Sequence, residues 1–257
     1  MRRSHLLAVA CAALGLVLTF VPDRHLAAAT QGPAAGAAIS LFDGKSLQGW
    51  RGYRQADATG TRWSVQDGTL TLPPRDASDT RRSRDIITTD TYDHFDLTWD
   101  WKVAPGGNSG LKYYVLEDSN SAIGHEYQIL DDERHADAKV GAHRQTAALY
   151  DVLAAPKPRP VKPAGEWNTS RILAAPSGTV PGGTRVSHYL NGERVLEYEL
   201  DSPELRAAIA KSKFKDVSRF GKLHKGHILL QDHNDQVWYR NIRIQRPGHP
   251  RHPGRPS

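Results

Sequence analysis

The stretch Phe95-Asp-Leu-Thr-Trp-Asp-Trp-Lys-Val103 decides the fold class. Its apolar residues fall on every second position. In an extended chain Phe95, Leu97, Trp99, Trp101 and Val103 point to one side, and Asp96, Thr98, Asp100 and Lys102 to the other. So regular an alternation describes a β-strand with one buried and one wet face. Strand signals of this kind dominate the chain on either side of it.

The flanking sequence continues the pattern. Upstream, Trp63-Ser-Val-Gln-Asp-Gly-Thr-Leu-Thr-Leu72 is two alternating runs around Asp67-Gly68, a hairpin with a two-residue turn, and residues 85–89 form a short strand. Downstream, Pro105-Gly-Gly-Asn-Ser-Gly110 reads as a turn before a strand at 111–116, and further strands follow at 126–130, 146–150 and 167–174. Residues 185–190 and 194–200 flank Asn191-Gly192, which favours a type I′ turn. Ser202-Pro203-Glu204 opens one short helix reaching about residue 211, with Ser202 as N-cap and Pro203 at the first helical position. The last strands are 227–231 and 237–244. Strands do not alternate with helices and no internal repeat is present, so the expected fold is an all-β antiparallel sandwich or jelly roll.

The chain ends read differently. Met1-Arg2-Arg3, an apolar run over residues 6–21, and Ala27-Ala28-Ala29 describe a secretory signal peptide over residues 1–29. The run is shorter than the about 20 residues of a spanning helix, so export to the periplasm or the exterior is expected, without stable membrane insertion after cleavage. The one cysteine, Cys11, lies inside that segment, which leaves no disulfide to support the mature chain. Residues 30–38 read as a small-residue linker, 39–246 as the folded domain, and 247–257 as a disordered basic tail. The net charge of +6 is concentrated in the signal, the tail and the Pro-rich stretch 154–163. A balanced body without a basic, aromatic-interleaved face argues against a nucleic-acid partner.

Three clusters could carry chemistry. Gly106-Gly-Asn-Ser-Gly110 lets the backbone come close to a ligand, with Asn108 able to read hydroxyls, or is a plain turn. In the strand at 126–130, Glu126 and Gln128 share one face, and His125, Tyr127 and Ile129 the other. A carboxylate beside an amide suits a sugar ring, or is a solvent-facing polar row. Leu230-Gln-Asp-His233 with Trp238 and Arg240 is the third: Gln231 and His233 share a face if the strand extends that far, or they form a turn. The chain has no nucleophile elbow and no P-loop. An acid where Gln128 stands would suit an ordinary sandwich glycosidase better.

Taken together these segments resemble the 3-keto-disaccharide hydrolase family. The resemblance is carried by Leu41-Phe-Asp-Gly-Lys-Ser-Leu-Gln-Gly-Trp50, Trp63-Ser-Val-Gln-Asp-Gly-Thr-Leu70, Gly106-Gly-Asn-Ser-Gly110, Glu126-Tyr-Gln-Ile-Leu-Asp131, Gly165-Glu-Trp-Asn168, Leu190-Asn-Gly192, Leu230-Gln-Asp-His233 and Arg240-Asn-Ile-Arg-Ile244. It implies a concanavalin A-like jelly roll of two antiparallel sheets, and activity on glycosides already oxidised at sugar carbon 3. It also implies Glu126 and His233 as acid and base, Lys112 as an enolate stabiliser, and Asn108, Gln128, Tyr150, Gln231 and Arg240 as substrate contacts. A divalent metal held by Glu126 and His233 would polarise the same sugar oxygens. The alternatives are a carbohydrate-binding module that stacks sugars on Tyr114, Tyr150 or Trp238, and a conventional glycosidase acting on unoxidised glycan. The segments 157–163 and 202–224 exceed the simplest family pattern and are expected to wall the site.

Overall fold

The computed structural model describes residues 37–76, 78–79 and 84–247. The expected signal peptide, most of the expected linker and the tail beyond residue 247 lie outside these residues.

Two antiparallel sheets carry the described chain. The larger is ordered β11 (Glu193–Glu199), β10 (Thr184–Leu190), β9 (Asn168–Pro176), β6 (Phe95–Val103), β13 (Val237–Gln245), β4 (Thr69–Leu72), β3 (Ser64–Gln66), with β1 (Ile39–Ser40) also on β13. The smaller is ordered β2 (Trp50–Gly52), β5 (Ile86–Thr88), β12 (His227–Leu230), β7 (Asn108–Val115), β8 (His125–Leu130). Among the described residues the one α-helix, α1 (Pro203–Ile209), is capped as expected, Ser202 accepting from the Leu205 amide at 3.1 Å. The fold is thus the expected all-β jelly-roll sandwich with one short helix.

β6 sits at the centre of the larger sheet and behaves as its sequence dictates: Phe95, Leu97, Trp99, Trp101 and Val103 are all buried. They meet Leu111, Tyr113, Tyr127 and Ile129 of the smaller sheet in one core. Each such side chain contributes about 1.5–3 kcal/mol. Both expected hairpins form with positive φ at both turn residues, Asp67 (48°) and Gly68 (71°), Asn191 (47°) and Gly192 (90°); this twist matches the flanking strands. Two expectations change. β7 starts at Asn108, so the glycine-rich segment is strand from that point and only its first residues turn. Residues 146–150 do not form a strand. Ala147 and Tyr150 bond to the edge of β8, but left-handed backbone at Ala147 (φ 67°) and Asp151 (φ 62°) breaks the ladder on either side.

A polar chain crosses the core beneath β8. His188 Nδ1 lies 2.9 Å from the Ala147 carbonyl and must donate to it, so His188 Nε2 accepts from Tyr113 at 2.9 Å. Tyr113 then accepts from Tyr198, which accepts from His125 Nδ1 at 2.7 Å. Burial lowers His125 to about 3 and His188 to about 4, so both rings are neutral and the chain keeps one direction. It ties β7, β8, β10 and β11 together directly behind Lys112 and Glu126.

Candidate active site

One continuous row of residues crosses the smaller sheet. Arg51 pairs with Ile87, Ile87 with Leu229, Leu229 with Lys112, and Lys112 with Glu126. The row runs from an Arg51–Glu117 ion pair, over a small apolar patch of Ile87, Leu229 and Val115, to Lys112 and Glu126.

A bulge decides which side chains of β7 join this face. His227 pairs with Val115 but Leu229 with Lys112, so β7 carries one residue more than β12 over this span. That residue is Tyr114, at φ 56°. The backbone of Gly226 closes on it so tightly that a Cβ there would stand 2.6 Å from Tyr114 Cα. Unbroken alternation would put Tyr114 on the face of Gly110 and Lys112. The bulge instead turns it into the core beside Tyr113, where its hydroxyl donates to the Asp93 carbonyl at 2.9 Å.

Glu126 is 4 % exposed, and Lys112 Nζ stands 3.8 Å from its Oε2. Burial pushes the Glu126 carboxyl up, and the ammoniums of Lys112 and Lys213 only partly oppose this. The carboxyl therefore gives and takes a proton closer to neutrality than an ordinary glutamate. Space above it is kept by Gly110: a Cβ there would lie 2.7 Å from Glu126 Oε1 and 3.1 Å from Gln231 Oε1. Gln231 Oε1 and Asn108 Oδ1 are buried without a hydrogen-bond partner. A buried acceptor left unpaired costs about 1–3 kcal/mol. Hydroxyl groups of a ligand above Gly110 would remove that cost.

Gln128 faces the same side, opposite Gly110, and is buried. β12 ends at Leu230, so Gln231 and His233 belong to the connection to β13 rather than to a strand face. Gln231 still reaches the site because its amide bonds the Gly110 carbonyl at 3.0 Å. In the same connection Asp235 accepts from the Asn108 amide at 3.0 Å. His233 is exposed, yet partial desolvation, and then the Lys112 charge, lower its pKa. At neutral pH it is a free imidazole base.

Tyr150 closes the site on the β8 side. Its amide donates to the Glu126 carbonyl at 3.0 Å and its ring lies 4.1 Å from Lys213 Nζ. The 202–224 segment therefore does form a wall, and it delivers Lys213. In the 157–163 segment Arg159 donates to Asp132 at 2.6 Å and to Gln145 at 3.0 Å. Sequence reasoning missed Lys213. It stands in Lys211-Ser-Lys-Phe-Lys215, where no spacing distinguishes one lysine from its neighbours. It also missed Asp85, whose carboxyl burial raises while the Lys112 charge opposes the shift.

Arg240 is a correction. It lies on β13 of the other sheet, where Tyr239 points into the core and Arg240 points away from it. There it donates to Asp100 at 3.2 Å and covers the Trp167 ring at 4.0 Å. Strand pairing puts it on the other sheet, and alternation on that sheet's outer face, away from a ligand at Glu126. Trp238, an expected stacking platform, lies on that sheet too, packed against Lys102 at 4.3 Å. Of the three expected stacking aromatics only Tyr150 is at the site. Nor does the donor set suit a divalent metal: among the described residues no three His, Cys, Asp or Glu converge, and Glu126 is matched by two ammoniums.

Comparison with known proteins bears on the family and the fold. Residues 37–245 match the model of the 3-keto-alpha-glucoside-1,2-lyase-like domain. A 3-keto-disaccharide hydrolase of Bacteroides thetaiotaomicron is 36 % identical over 233 residues, covering 80 % of this chain and 77 % of that one. Crystal structures of two candidate glycosyl hydrolases from Parabacteroides distasonis are similar. One has a TM-score of 0.70 at 29 % identity, covering 82 % of this chain and 94 % of the other. The second has a TM-score of 0.58 at 28 % identity, covering 80 % and 98 %.

Proposed function

Because the chain belongs to the 3-keto-alpha-glucoside-1,2-lyase-like family, we propose that it cleaves glycosides already oxidised to a ketone at carbon 3, by elimination followed by hydration. The observation that carries this reading is a single buried carboxyl of raised pKa, Glu126, beside an ammonium at 3.8 Å, with an amide, Gln128, where a nucleophilic or second acidic carboxylate would be wanted. A ketone at carbon 3 acidifies the proton on carbon 2. One base then suffices, and no covalent glycosyl intermediate is required.

Glu126 takes the carbon 2 proton. The electron pair left behind delocalises onto the carbon 3 oxygen, where Lys112 balances the charge. The carbon 1–oxygen bond breaks, leaving a double bond between carbons 1 and 2. Asn108, Gln128 and Gln231 orient the ring by its hydroxyls. In the second half water adds to carbon 1, with the free imidazole of His233 accepting its proton, and Glu126 returns a proton to carbon 2. The product is the 3-keto sugar.

The test supplies purified protein with matched glycosides, oxidised and unoxidised at carbon 3. The oxidised set should be cleaved and the unoxidised set left intact, with deuterium at carbon 2 slowing the reaction wherever proton removal limits it. Intact 3-keto-glycosides would sink the reading, and so would equal cleavage of both sets. We also propose that the enzyme works outside the cytoplasm, on the strength of the signal-like residues 1–29; fractionation of cells expressing the full chain tests this.

A further inference from the structure

The elimination leaves one role unfilled: the departing carbon 1 oxygen needs a proton. We infer that Lys213 is a further catalytic residue, the acid that protonates this oxygen. The inference rests on the proposed elimination and goes beyond it.

In a sugar ring carbons 1 and 3 flank carbon 2, so a base acting at carbon 2 has the leaving oxygen on one side and the enolate oxygen on the other. Glu126 likewise feels the charges of two ammoniums, which come from different parts of the fold. Lys112 rises from the sheet floor beside it. Lys213 comes from the wall, over the half-buried ring of Tyr150. The floor cation suits the oxygen that stays on the ring, and the wall cation suits the one that departs.

Lys213 is an exposed residue whose backbone is fixed in place. Its amide donates to Asp151 Oδ2 at 2.7 Å, and Arg144 fixes Asp151 Oδ1 at 2.7 Å. The next residue, Phe214, stacks on Phe220 at 4.1 Å, and Phe220 stacks on His125 at 4.9 Å, the residue before Glu126. Among charged groups Glu126 acts on Lys213 most strongly, and loss of hydration lowers the ammonium, which makes it a readier donor.

The protons balance. Lys213 gives one proton to the departing oxygen as Glu126 takes one from carbon 2, so an alcohol leaves and an enone remains. On hydration Glu126 returns its proton to carbon 2, His233 passes the proton of the adding water to solvent, and Lys213 is recharged from solvent.

The decisive experiment compares two substrates, the 3-keto methyl glucoside and the 3-keto 4-nitrophenyl glucoside. Methoxide needs a proton to leave; nitrophenolate does not. Lys213→Met should lower kcat/KM on the methyl glucoside by about 10²–10⁴-fold and leave the nitrophenyl substrate within a few-fold of wild type. Lys213→Arg keeps the charge but holds its proton too tightly, and should not restore the methyl substrate. Lys211→Met, at an exposed neighbouring position, should change neither rate. Equal losses on both substrates, no loss on either, or rescue by arginine would each overturn the inference. A wild-type enzyme inert on both substrates sinks the proposed function itself, and is distinguished from a defect confined to the variants.

Discussion

The outer face of the eight-stranded sheet and that of the five-stranded sheet hold the same residue types in opposite states. On the larger sheet Asp100 accepts from Thr169 and Asn241 at 2.7 Å each and from Arg240 at 3.2 Å, while Asp96 holds Arg171 through two contacts of 2.6 and 2.8 Å. Both of these carboxylates are answered by neighbours. On the smaller sheet Asn108 and Gln231 keep buried oxygens without donors, and Glu126 is buried with its nearest cation at 3.8 Å. An acid, a base and an amide on a sheet face are therefore not by themselves a site. What separates Asp96 and Asp100 from Asn108, Gln231 and Glu126 is whether the groups have spent their bonds on their neighbours.

The sharpest way to break this comparison is to neutralise one acid on each face. Glu126→Gln keeps shape and removes the proton-accepting group; turnover of a 3-keto-glycoside should fall by about 10²–10⁴-fold, with the circular dichroism spectrum unchanged. Asp100→Asn should leave turnover at the wild-type level. Comparable losses in the two variants would mean that the faces do not differ in function.

A smaller effect probes the space rather than the charge. Gly110→Ala puts a methyl group 2.7 Å from Glu126 Oε1 and 3.1 Å from Gln231 Oε1. A displacement of this order at reacting groups costs about 10²-fold in rate, and crowding costs about 1–3 kcal/mol of stability. Steady-state kinetics on a 3-keto-glycoside and thermal melts measure the two. An unchanged kcat/KM would place the substrate away from Gly110.

The contrast between the faces also shows what the sequence can and cannot carry. β6, both hairpin turns and the cap of α1 are local: their residues specify them within a few positions, and all appear where expected. Glu126 and Gln128 were legible as a pair because strand alternation is local too. Arg240 was misassigned because a period of two says which residues share a face but not which sheet the strand joins. Tyr114 was misassigned because one extra residue, opposite Gly226 across the sheet, reverses the alternation midway along β7. Lys213 was invisible because it reaches Glu126 through tertiary packing, Phe214 on Phe220 on His125, with no periodic signal behind it.

Proton linkage sharpens the comparison by sign. The folded-state pKa of Glu126 is raised from 4.5 by burial. Its contribution to stability is therefore present below the unfolded value and lost as pH rises through the folded value, because only the unfolded chain ionises it freely. Melting temperature measured from pH 4 to pH 8 should show Glu126→Gln gaining on wild type as pH rises. The reverse trend would make Glu126 a structural ion-pair partner of Lys112, no different in kind from Asp100 on the other face.

The smallest expected effect belongs to Arg240. Its side chain is partly exposed at 41 %, and its bond to Asp100 at 3.2 Å is one of several that carboxylate accepts. Screening by water limits such a pair to about 0.2–1 kcal/mol. A double-mutant cycle of Arg240→Ala with Asp100→Asn, read from denaturant melts, should return a coupling in that range that shrinks with added salt. Activity should not follow it. Arg240→Ala removes a cation from the Trp167 ring and from Asp100, both on the eight-stranded sheet, and leaves Glu126, Lys112 and Gly110 untouched. If instead it raised KM for a 3-keto-glycoside tenfold with stability preserved, the closed face would be contacting substrate. Satisfied hydrogen bonds would then no longer separate structural from functional polar groups in this protein.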